Sequence, residues 1–373
     1  MTVLLGQKIG EGRPDEAGSV VGSAICLFVC VALALTALLS ALTEPFCRLL
    51  QAPEEAFVPT TQYVRICSAG TLFIVAFNVI GSVFRGLGDS KMPLITVAIA
   101  CVTNIFGDLL LVDVFQMGAA GAALATVFAQ AVSVILSLFV IMRRKLPFTF
   151  RKEQLRFDRP LTAGILRLGI PIALQDVLVG VSFLVILAIV NSLGLLQSAG
   201  MGIAEKVCAF VMLLPSAFSQ SVSAFVAQNT GAGKPERAKK ALRYSVAVSL
   251  CISVFVFYSN FFHGDLLAGI FANDHAVILE AADYLKAYAI DCLLTSFLFC
   301  FVGYFSGLGK TVFVMTQGIL GAFGVRIPVS FAMSRLPNVR LFYIGLATPC
   351  STVVQVLLCL GYYAHLARRE RRA

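Results

Sequence analysis

Tryptophan is missing from this chain, and histidine and charged residues are scarce. The 373 residues include no Trp, three His and only 13% Asp, Glu, Lys and Arg together. Without Trp, aromatic side chains at a membrane interface have to be Tyr or Phe. None of the histidines is spaced from a Ser, Cys or carboxylate as a catalytic or metal motif requires, and the eleven cysteines include no CxxC pair. These absences argue against an enzyme and against a metal centre.

What the chain has in excess is apolar sequence. Hydrophobic residues make up 58% of it, whereas soluble domains have about 45–50%. The excess lies in about ten stretches of roughly 20 residues, the length at which a helix crosses a ~30 Å hydrocarbon core. The stretches are 19–42, 64–85, 92–115, 118–142, 163–194, 200–228, 241–262, 284–306, 311–334 and 342–366. The sequence therefore predicts an all-α integral membrane protein with the lipid bilayer as its main partner.

The net charge of +9 is distributed as a membrane topology signal. Lys and Arg concentrate in alternate loops and in the tail, for example at 143–159, 234–243 and 368–372, whereas the intervening loops carry mainly Asp and Glu. Because positive loops stay in the cytoplasm, both termini are predicted to be cytoplasmic and the protein to lie in the plasma (inner) membrane. A nucleic-acid partner is not expected.

The chain is also an internal repeat. Five residues of 7–17 (Gln7, Gly10, Gly12, Pro14 and Ala17) recur within 228–238, and four of 84–88 (Phe84, Gly86, Leu87 and Gly88) recur within 305–309, in both cases at an offset of 221. Leu124-Ala125-Thr126 recurs as Leu346-Ala347-Thr348 at an offset of 222. At the offset of 221, Asp108 is opposite Val329. Two homologous helical bundles are expected, related by a pseudo-two-fold axis along the membrane normal.

We predict an N-terminal lobe over residues 1–146, a cytoplasmic linker over 147–160 and a C-terminal lobe over 161–373. Four apolar stretches precede the linker and six follow it. The first lobe is therefore expected to lack two helices, or roughly 60 residues counted back from the repeat. On this interpretation the chain has about ten of twelve helices and is an incomplete gene product or a fragment.

Ionisable groups inside membrane helices are costly, so each is a candidate functional residue. Asp108 lies within the stretch 92–115 and shares a helix face with Asn104, four residues earlier. A carboxylate beside an amide oxygen can bind Na⁺ or take up a proton. Candidates for a substrate cavity are Gln175, Asp176, Glu205 and Asp291. Pro171 is a candidate hinge, because proline removes a helical hydrogen bond.

Several motifs together resemble those of one transporter family. They are Phe84-Arg85-Gly86-Leu87-Gly88-Asp89-Ser90-Lys91-Met92-Pro93, Asn104-Ile105-Phe106-Gly107-Asp108, Gly118-Ala119-Ala120-Gly121-Ala122-Ala123-Leu124-Ala125-Thr126, Leu168-Gly169-Ile170-Pro171 and Gln228-Asn229-Thr230-Gly231-Ala232-Gly233. On these motifs the chain resembles the MATE (multidrug and toxic compound extrusion) family. The resemblance implies twelve helices in two lobes. It also implies a monomer that exports organic, cationic compounds by alternating access, with Na⁺ or H⁺ as coupling ion and no cofactor.

The resemblance also implies a cation site. The family's first-lobe site uses an Asp on helix 1, an Asn and an Asp on helix 5 and a Thr on helix 6. Asn104, Asp108 and Thr126 match the last three, and the helix 1 Asp has no counterpart here. One branch instead uses acids on helices 7 and 10, where this chain has Val179 and Thr295. The chain is therefore more similar to the DinF-like branch, and the first-lobe site is favoured.

Three alternatives remain open at this point. A flippase for lipid-linked oligosaccharides would require several basic residues for a pyrophosphate, whereas the charges within the apolar stretches are mostly acidic. A membrane-embedded enzyme would require a His/Asp or Ser/His constellation. A non-transporting truncated remnant would show no ion-dependent movement of substrate.

Overall fold

The computed structural model describes residues 1–49, 54–143, 148 and 150–370, and the described residues form helices joined by short turns. They divide into two compact units, Met1–Leu166 and Arg167–Ala373. Residues 144–147 and 149 lie outside the described part, so the predicted linker 147–160 is described only in part. Helices dominate because a backbone in lipid must satisfy its own hydrogen bonds within each segment.

The helices of the first unit follow the predicted stretches closely. They are α1 (Thr2–Gly10), α2 (Pro14–Leu49), α3 (Glu54–Ala69), α4 (Thr71–Gly86), α5 (Lys91–Asp108), a π-helical segment (Leu109–Val114), α6 (Gly118–Arg143) and a short 3-10 turn (Lys152–Gln154). Helix α7 (Arg159–Asn191) begins in this unit and continues into the second.

The second unit contains the remaining helices. They are α8 (Leu195–Gly231), α9 (Pro235–Phe262), α10 (Gly264–Gly269), α11 (His275–Gly307), α12 (Thr311–Ile319), a second π-helical segment (Leu320–Arg326), α13 (Ile327–Ser334), α14 (Leu341–Gly345) and α15 (Ala347–Glu370). The second π-helical segment is followed by Pro328, whose missing N–H removes one bond from the regular helical ladder.

Among the described residues, nine helices are long and apolar enough to cross a membrane, or up to ten if one bent pair forms a single span. The bent pair is α3 and α4, which meet at an angle of 54°. The prediction of about ten membrane stretches is therefore confirmed, with one refinement. The stretch predicted over 64–85 is the region of this bend, and the helix before the bend begins at Glu54.

Gly70, the residue between α3 and α4, lies against α6. A Cβ atom at this position would lie 2.4 Å from Cγ2 of Val127, which is closer than real carbon atoms approach. The absence of a side chain therefore lets the Val127 side chain of α6 pack directly against the backbone at Gly70.

The repeat is visible in the turns that join the helices. Gly12 and Gly233 have φ values of 69° and 66°, and Gly88 and Gly309 have φ values of 78° and 74°. Positive φ favours glycine, so the four positions need this residue for the same reason. The offset of 221 thus preserves local geometry as well as residue identity.

Helix α11 is the central helix of the second unit. It is buried along most of its length and packs against α8, α9 and α15. Gly303 and Gly307 allow α8 to approach closely, since a Cβ at Gly303 would lie 2.4 Å from the carbonyl oxygen of Ser219. Asp291 lies on the same helix and is 1% exposed.

The chain before α7 is held against α2. Ser23 Oγ donates to the carbonyl oxygen of Arg156 at 3.2 Å, and Gln154 Nε2 donates to that of Asp15 at 3.1 Å. Because these bonds join residues far apart in sequence, the described part of the predicted linker is an ordered part of the first unit.

Candidate ion-binding site

The predicted ion ligands lie where α5 and α6 come closest. A Cβ at Gly107 would be 2.9 Å from Cβ of Ala125, so the two helices touch at this level. Asn104 and Asp108 lie on the partly buried face of α5, and Thr126 lies on the facing side of α6. The small residues of the α6 motif thus bring three polar side chains together in an apolar region.

Two of the three predicted ligands are in contact. Asn104 Nδ2 donates to Thr126 Oγ1 at 3.5 Å, and Thr126 Oγ1 donates to the carbonyl oxygen of Ala122 at 2.9 Å. Asp108 Oδ1 is buried and has no hydrogen-bond partner among the described residues. A buried carboxylate oxygen without a donor is costly, which is the condition expected of a group that binds a cation or a proton.

Tyr63 on α3 belongs to the same cluster and was not predicted as a site residue. Its hydroxyl interacts with the Thr126 side chain and with Cys67, and it lies close enough to Asp108 for an electrostatic interaction. The sequence contained one signal, because Tyr63 is the repeat partner of Tyr284. We refer to Tyr63, Asn104, Asp108 and Thr126 as the first-unit cluster.

The first-unit cluster presents oxygen atoms and one acidic group. A carboxylate, an amide oxygen and two hydroxyl oxygens are hydrogen-bond acceptors, and such groups serve cation and proton sites in membrane carriers. The first π-helical segment begins directly after Asp108. Such segments are frequent at functional sites because they leave backbone groups outside the regular ladder.

The predicted substrate-cavity residues do not form one group in the structure. The Gln175 side chain packs against Gly318 of α12, and its Oε1 has no partner among the described residues. Asp176 is exposed and Glu205 is partly buried. Pro171 is buried within α7, which continues as one helix through this position. The roles predicted for these residues remain predictions.

The second unit carries a related cluster around Asp291 and Arg326. The Tyr284 hydroxyl lies close to Thr348 and Arg326, as Tyr63 lies close to Thr126, and Thr348 Oγ1 has no hydrogen-bond partner among the described residues. Arg326 is 6% exposed, and Nη1 donates to Ser182 Oγ at 3.2 Å. We refer to Tyr284, Asp291, Arg326 and Thr348 as the second-unit cluster. Arg326 was not among the predicted site residues, although it is an ionisable residue within the predicted stretch 311–334.

The offset between the two copies changes from 221 to 222 between Gly88 and Leu124. Each unit has a π-helical segment in this region, Leu109–Val114 in the first and Leu320–Arg326 in the second, and a π-helical turn takes an extra residue. At the offset of 221 Asp108 is opposite Val329, and at 222 it is opposite Ser330. At 222 Asn104 is opposite Arg326.

A family model described as MatE matches residues 1–110 and 171–332. The chain belongs to the MatE family. Its fold is that of an all-α membrane transporter, as the motifs predicted.

Curated relatives of this MatE chain cover most of its length. Probable multidrug resistance protein YoeA of Bacillus subtilis (strain 168) is 24% identical over 377 residues, which is 99% of this chain and 81% of that protein. Probable multidrug resistance protein YpnP of the same organism is 29% identical, over 92% of this chain and 74% of that protein. A protein described as a FAD transporter, from Shewanella oneidensis, is 29% identical over 74% of this chain and 62% of its own length.

Solved structures show the same fold. An outward-facing multidrug resistance MATE family transporter of the MOP superfamily matches with a TM-score of 0.93 at 16% identity, over 100% of this chain and 83% of that one. A MOP superfamily transporter from Pyrococcus furiosus matches with a TM-score of 0.92 at 18% identity, over 98% and 82%. The MatE chain is thus a multi-pass membrane protein of known architecture.

Proposed function

We propose that this MatE protein is a secondary active exporter that moves organic, cationic compounds in exchange for Na⁺ or H⁺. The observation that carries this proposal is Asp108. Its buried oxygen has no donor among the described residues, and it lies beside Asn104, Thr126 and Tyr63 in a family with multidrug resistance members. Ion occupancy at Asp108 would shift the balance between inward-open and outward-open states, because a ligand favours the state that binds it better.

The proposal includes an orientation in the membrane. The basic loops and tail support a plasma-membrane protein with both termini of this chain in the cytoplasm. It also specifies a monomer that needs no cofactor other than the coupling ion. Cysteine-scanning with an impermeant thiol reagent on intact cells tests the orientation, and labelling of a cysteine placed at Arg369 from outside would contradict it.

The transport test uses purified protein in liposomes with separately imposed Na⁺ and pH gradients. We expect wild-type protein to move an organic cation under one of the two gradients, and Asp108→Asn to reduce that movement to the level of empty liposomes. Asp113→Asn is the matched control, because Asp113 is an exposed carboxylate five residues further along the same segment. Equal coupled transport by wild type and Asp108→Asn would refute the role of Asp108.

The substrate panel should contain an anionic dinucleotide such as FAD as well as organic cations. One relative is described as a FAD transporter, and the second-unit cluster contains a buried guanidinium. Transport of the anion alone would favour a carrier of anionic or amphiphilic compounds. No transport of either class under either gradient would favour the non-transporting alternative.

A further inference from the structure

Arg326 is a cation that the second unit carries permanently. It ends the second π-helical segment and is 6% exposed. Its Cζ lies 4.5 Å above the ring centre of Phe183, and Nη1 donates to Ser182. Nε is buried and has no hydrogen-bond partner among the described residues. Burying a guanidinium is costly unless an opposite charge lies close by.

Asp291 supplies that opposite charge. It is 1% exposed on α11, and it interacts electrostatically with Arg326. Both carboxylate oxygens are buried without a hydrogen-bond donor among the described residues. The Thr352 hydroxyl lies against Asp291 and donates to the carbonyl oxygen of Thr348, at 3.1 Å. Asp291 is therefore stabilised by this hydroxyl and by the charge of Arg326, with which it makes no direct ion pair.

At the repeat offset of 222, Arg326 is opposite Asn104, a predicted ligand of the coupling ion. Tyr63 lies close to Thr126 in the first unit, as Tyr284 lies close to Thr348 in the second. The two clusters thus share a tyrosine and a threonine, and each contains a buried carboxylate oxygen without a donor in the described residues. They differ in that only the second contains a basic side chain.

From this difference we infer that Arg326 is a tethered cation that takes the place of an exchangeable ion in the second-unit cluster. While Arg326 is present, this cluster takes up no coupling ion. Without Arg326, Asp291 becomes a site for a monovalent cation or a proton. The inference deepens the proposed function, and rests on it for the role of the first-unit cluster, because it confines ion exchange to one of the two clusters.

The test is the thermal stability of the purified protein in detergent. Melting is followed in choline chloride at neutral pH, in sodium chloride of equal ionic strength, and in choline chloride at acid pH. We expect Arg326→Gln to lower the melting temperature in neutral choline chloride by roughly 6–20 °C, because one charge of a buried pair is left alone. Sodium or acid should restore at least half of that loss.

Substitution of both partners identifies the group that responds. Arg326→Gln/Asp291→Asn should regain stability in neutral choline chloride and lose the response to sodium and acid. This control is needed because other titratable groups surround Asp291. Tyr288 and Cys292 on α11, Cys208 on α8 and Arg326 interact with Asp291 itself, and Tyr284 and Glu205 lie next to these groups. Arg335→Gln is the matched control for loss of an arginine, since Arg335 is exposed and lies over the Phe331 ring.

Two results would overturn the inference: an Arg326→Gln variant that responds to sodium and acid no more than wild type, or a double variant that keeps the response. If Arg326→Gln alone does not fold, recovery of folded protein in the double variant supports the pair, and failure of the double variant counts against it. The series is repeated in an Asp108→Asn background. That background removes any ion response of the first-unit cluster, so this inference and the proposed function fail separately.

Discussion

The two units have very different residues at one repeat position, which lies between α3 and α4 in the first unit and within α11 in the second. In the first unit this point is Gly70, where α3 and α4 meet at 54°. In the second it is Asp291, 221 positions later, inside the continuous helix α11. One copy has a break with no side chain, and the other has a buried carboxylate. The two copies therefore share their glycine turns and their helix order, but they differ in the residues inside their helices.

The polar clusters differ in a related way. The first-unit cluster has an acidic side chain and no basic one, whereas the second-unit cluster contains both Arg326 and Asp291. A buried charge is costly unless it is compensated. Under the function and the inference proposed above, the first cluster exchanges an ion and the second carries a fixed cation in its place.

The largest expected effect is at the contact between α11 and α8. Gly303 corresponds to Ser82 in the first unit, and a Cβ at Gly303 would meet the backbone oxygen of Ser219 at 2.4 Å. We expect Gly303→Ser to cost about 3 kcal/mol or more, since a backbone atom cannot move aside as a side chain can. Thermal unfolding in detergent measures the loss.

The reciprocal exchange is the control. Ser82→Gly removes a partly buried side chain that accepts from Arg85 at 3.1 Å, and it should cost only about 1 kcal/mol. If both exchanges cost the same, the two units pack their central spans alike, and the contrast between them is wrong.

The membrane helices could be predicted from the sequence, because a long apolar stretch in lipid has to form a helix. The helix face that Asn104 and Asp108 share could then be predicted as well. The pairing of Asn104 with Asp108 followed from their spacing, and Thr126 came from the family resemblance. Tyr63 was not accessible in the same way. It lies in α3, a segment too polar at its start to be counted as an apolar stretch, and its proximity to Thr126 is a contact between helices far apart in sequence. The repeat partner of Asp108 depends on where the offset changes from 221 to 222, and the sequence does not mark that position.

A second prediction concerns the hydrogen bonds by which Asp283 holds the start of α14. Asp283 Oδ2 accepts from the backbone N–H of Phe342 at 3.2 Å, and Oδ1 pairs with Arg340. Asp283→Ala should cost about 1.5–3 kcal/mol, because it removes hydrogen bonds to a charged, mostly buried acceptor. Thermal unfolding measures the difference.

The repeat partner of Asp283 is Gln62, which is exposed. Gln62→Ala should change stability by less than about 0.5 kcal/mol. Asp283→Asn should lie between the two alanine variants, since it keeps an acceptor for Phe342 and loses the charge. A stable Asp283→Ala variant would mean that α14 is held without this cap.

A third prediction tests the close approach at Gly70. Alanine is compatible with the backbone there, where φ is −82°, and it would gain up to about 1 kcal/mol from lower chain entropy. Its Cβ would nevertheless meet both methyl carbons of Val127, at 2.4 and 2.5 Å. We expect a net cost of about 1–2 kcal/mol for Gly70→Ala. In the Gly70→Ala/Val127→Ala variant the methyl clash is gone, so the second change should cost less there than Val127→Ala costs alone.

The smallest expected effect is at an ion pair on the surface of the first unit. Arg65 Nη2 lies 2.7 Å from Glu44 Oε1, with about half of each side chain exposed. The repeat partners are Lys286 and Asp265, which line one cavity of about 500 Å³ in the second unit. An exposed pair contributes about 0–1 kcal/mol and is screened by salt.

Glu44→Gln should therefore lower the melting temperature slightly in low salt and not in high salt. Asp265→Asn should give the same pattern if the repeat preserves this surface contact. A larger loss of melting temperature for Asp265→Asn that does not depend on salt would contradict this expectation. It would show that Asp265 stabilises the cavity it lines and is not merely one partner of an exposed ion pair.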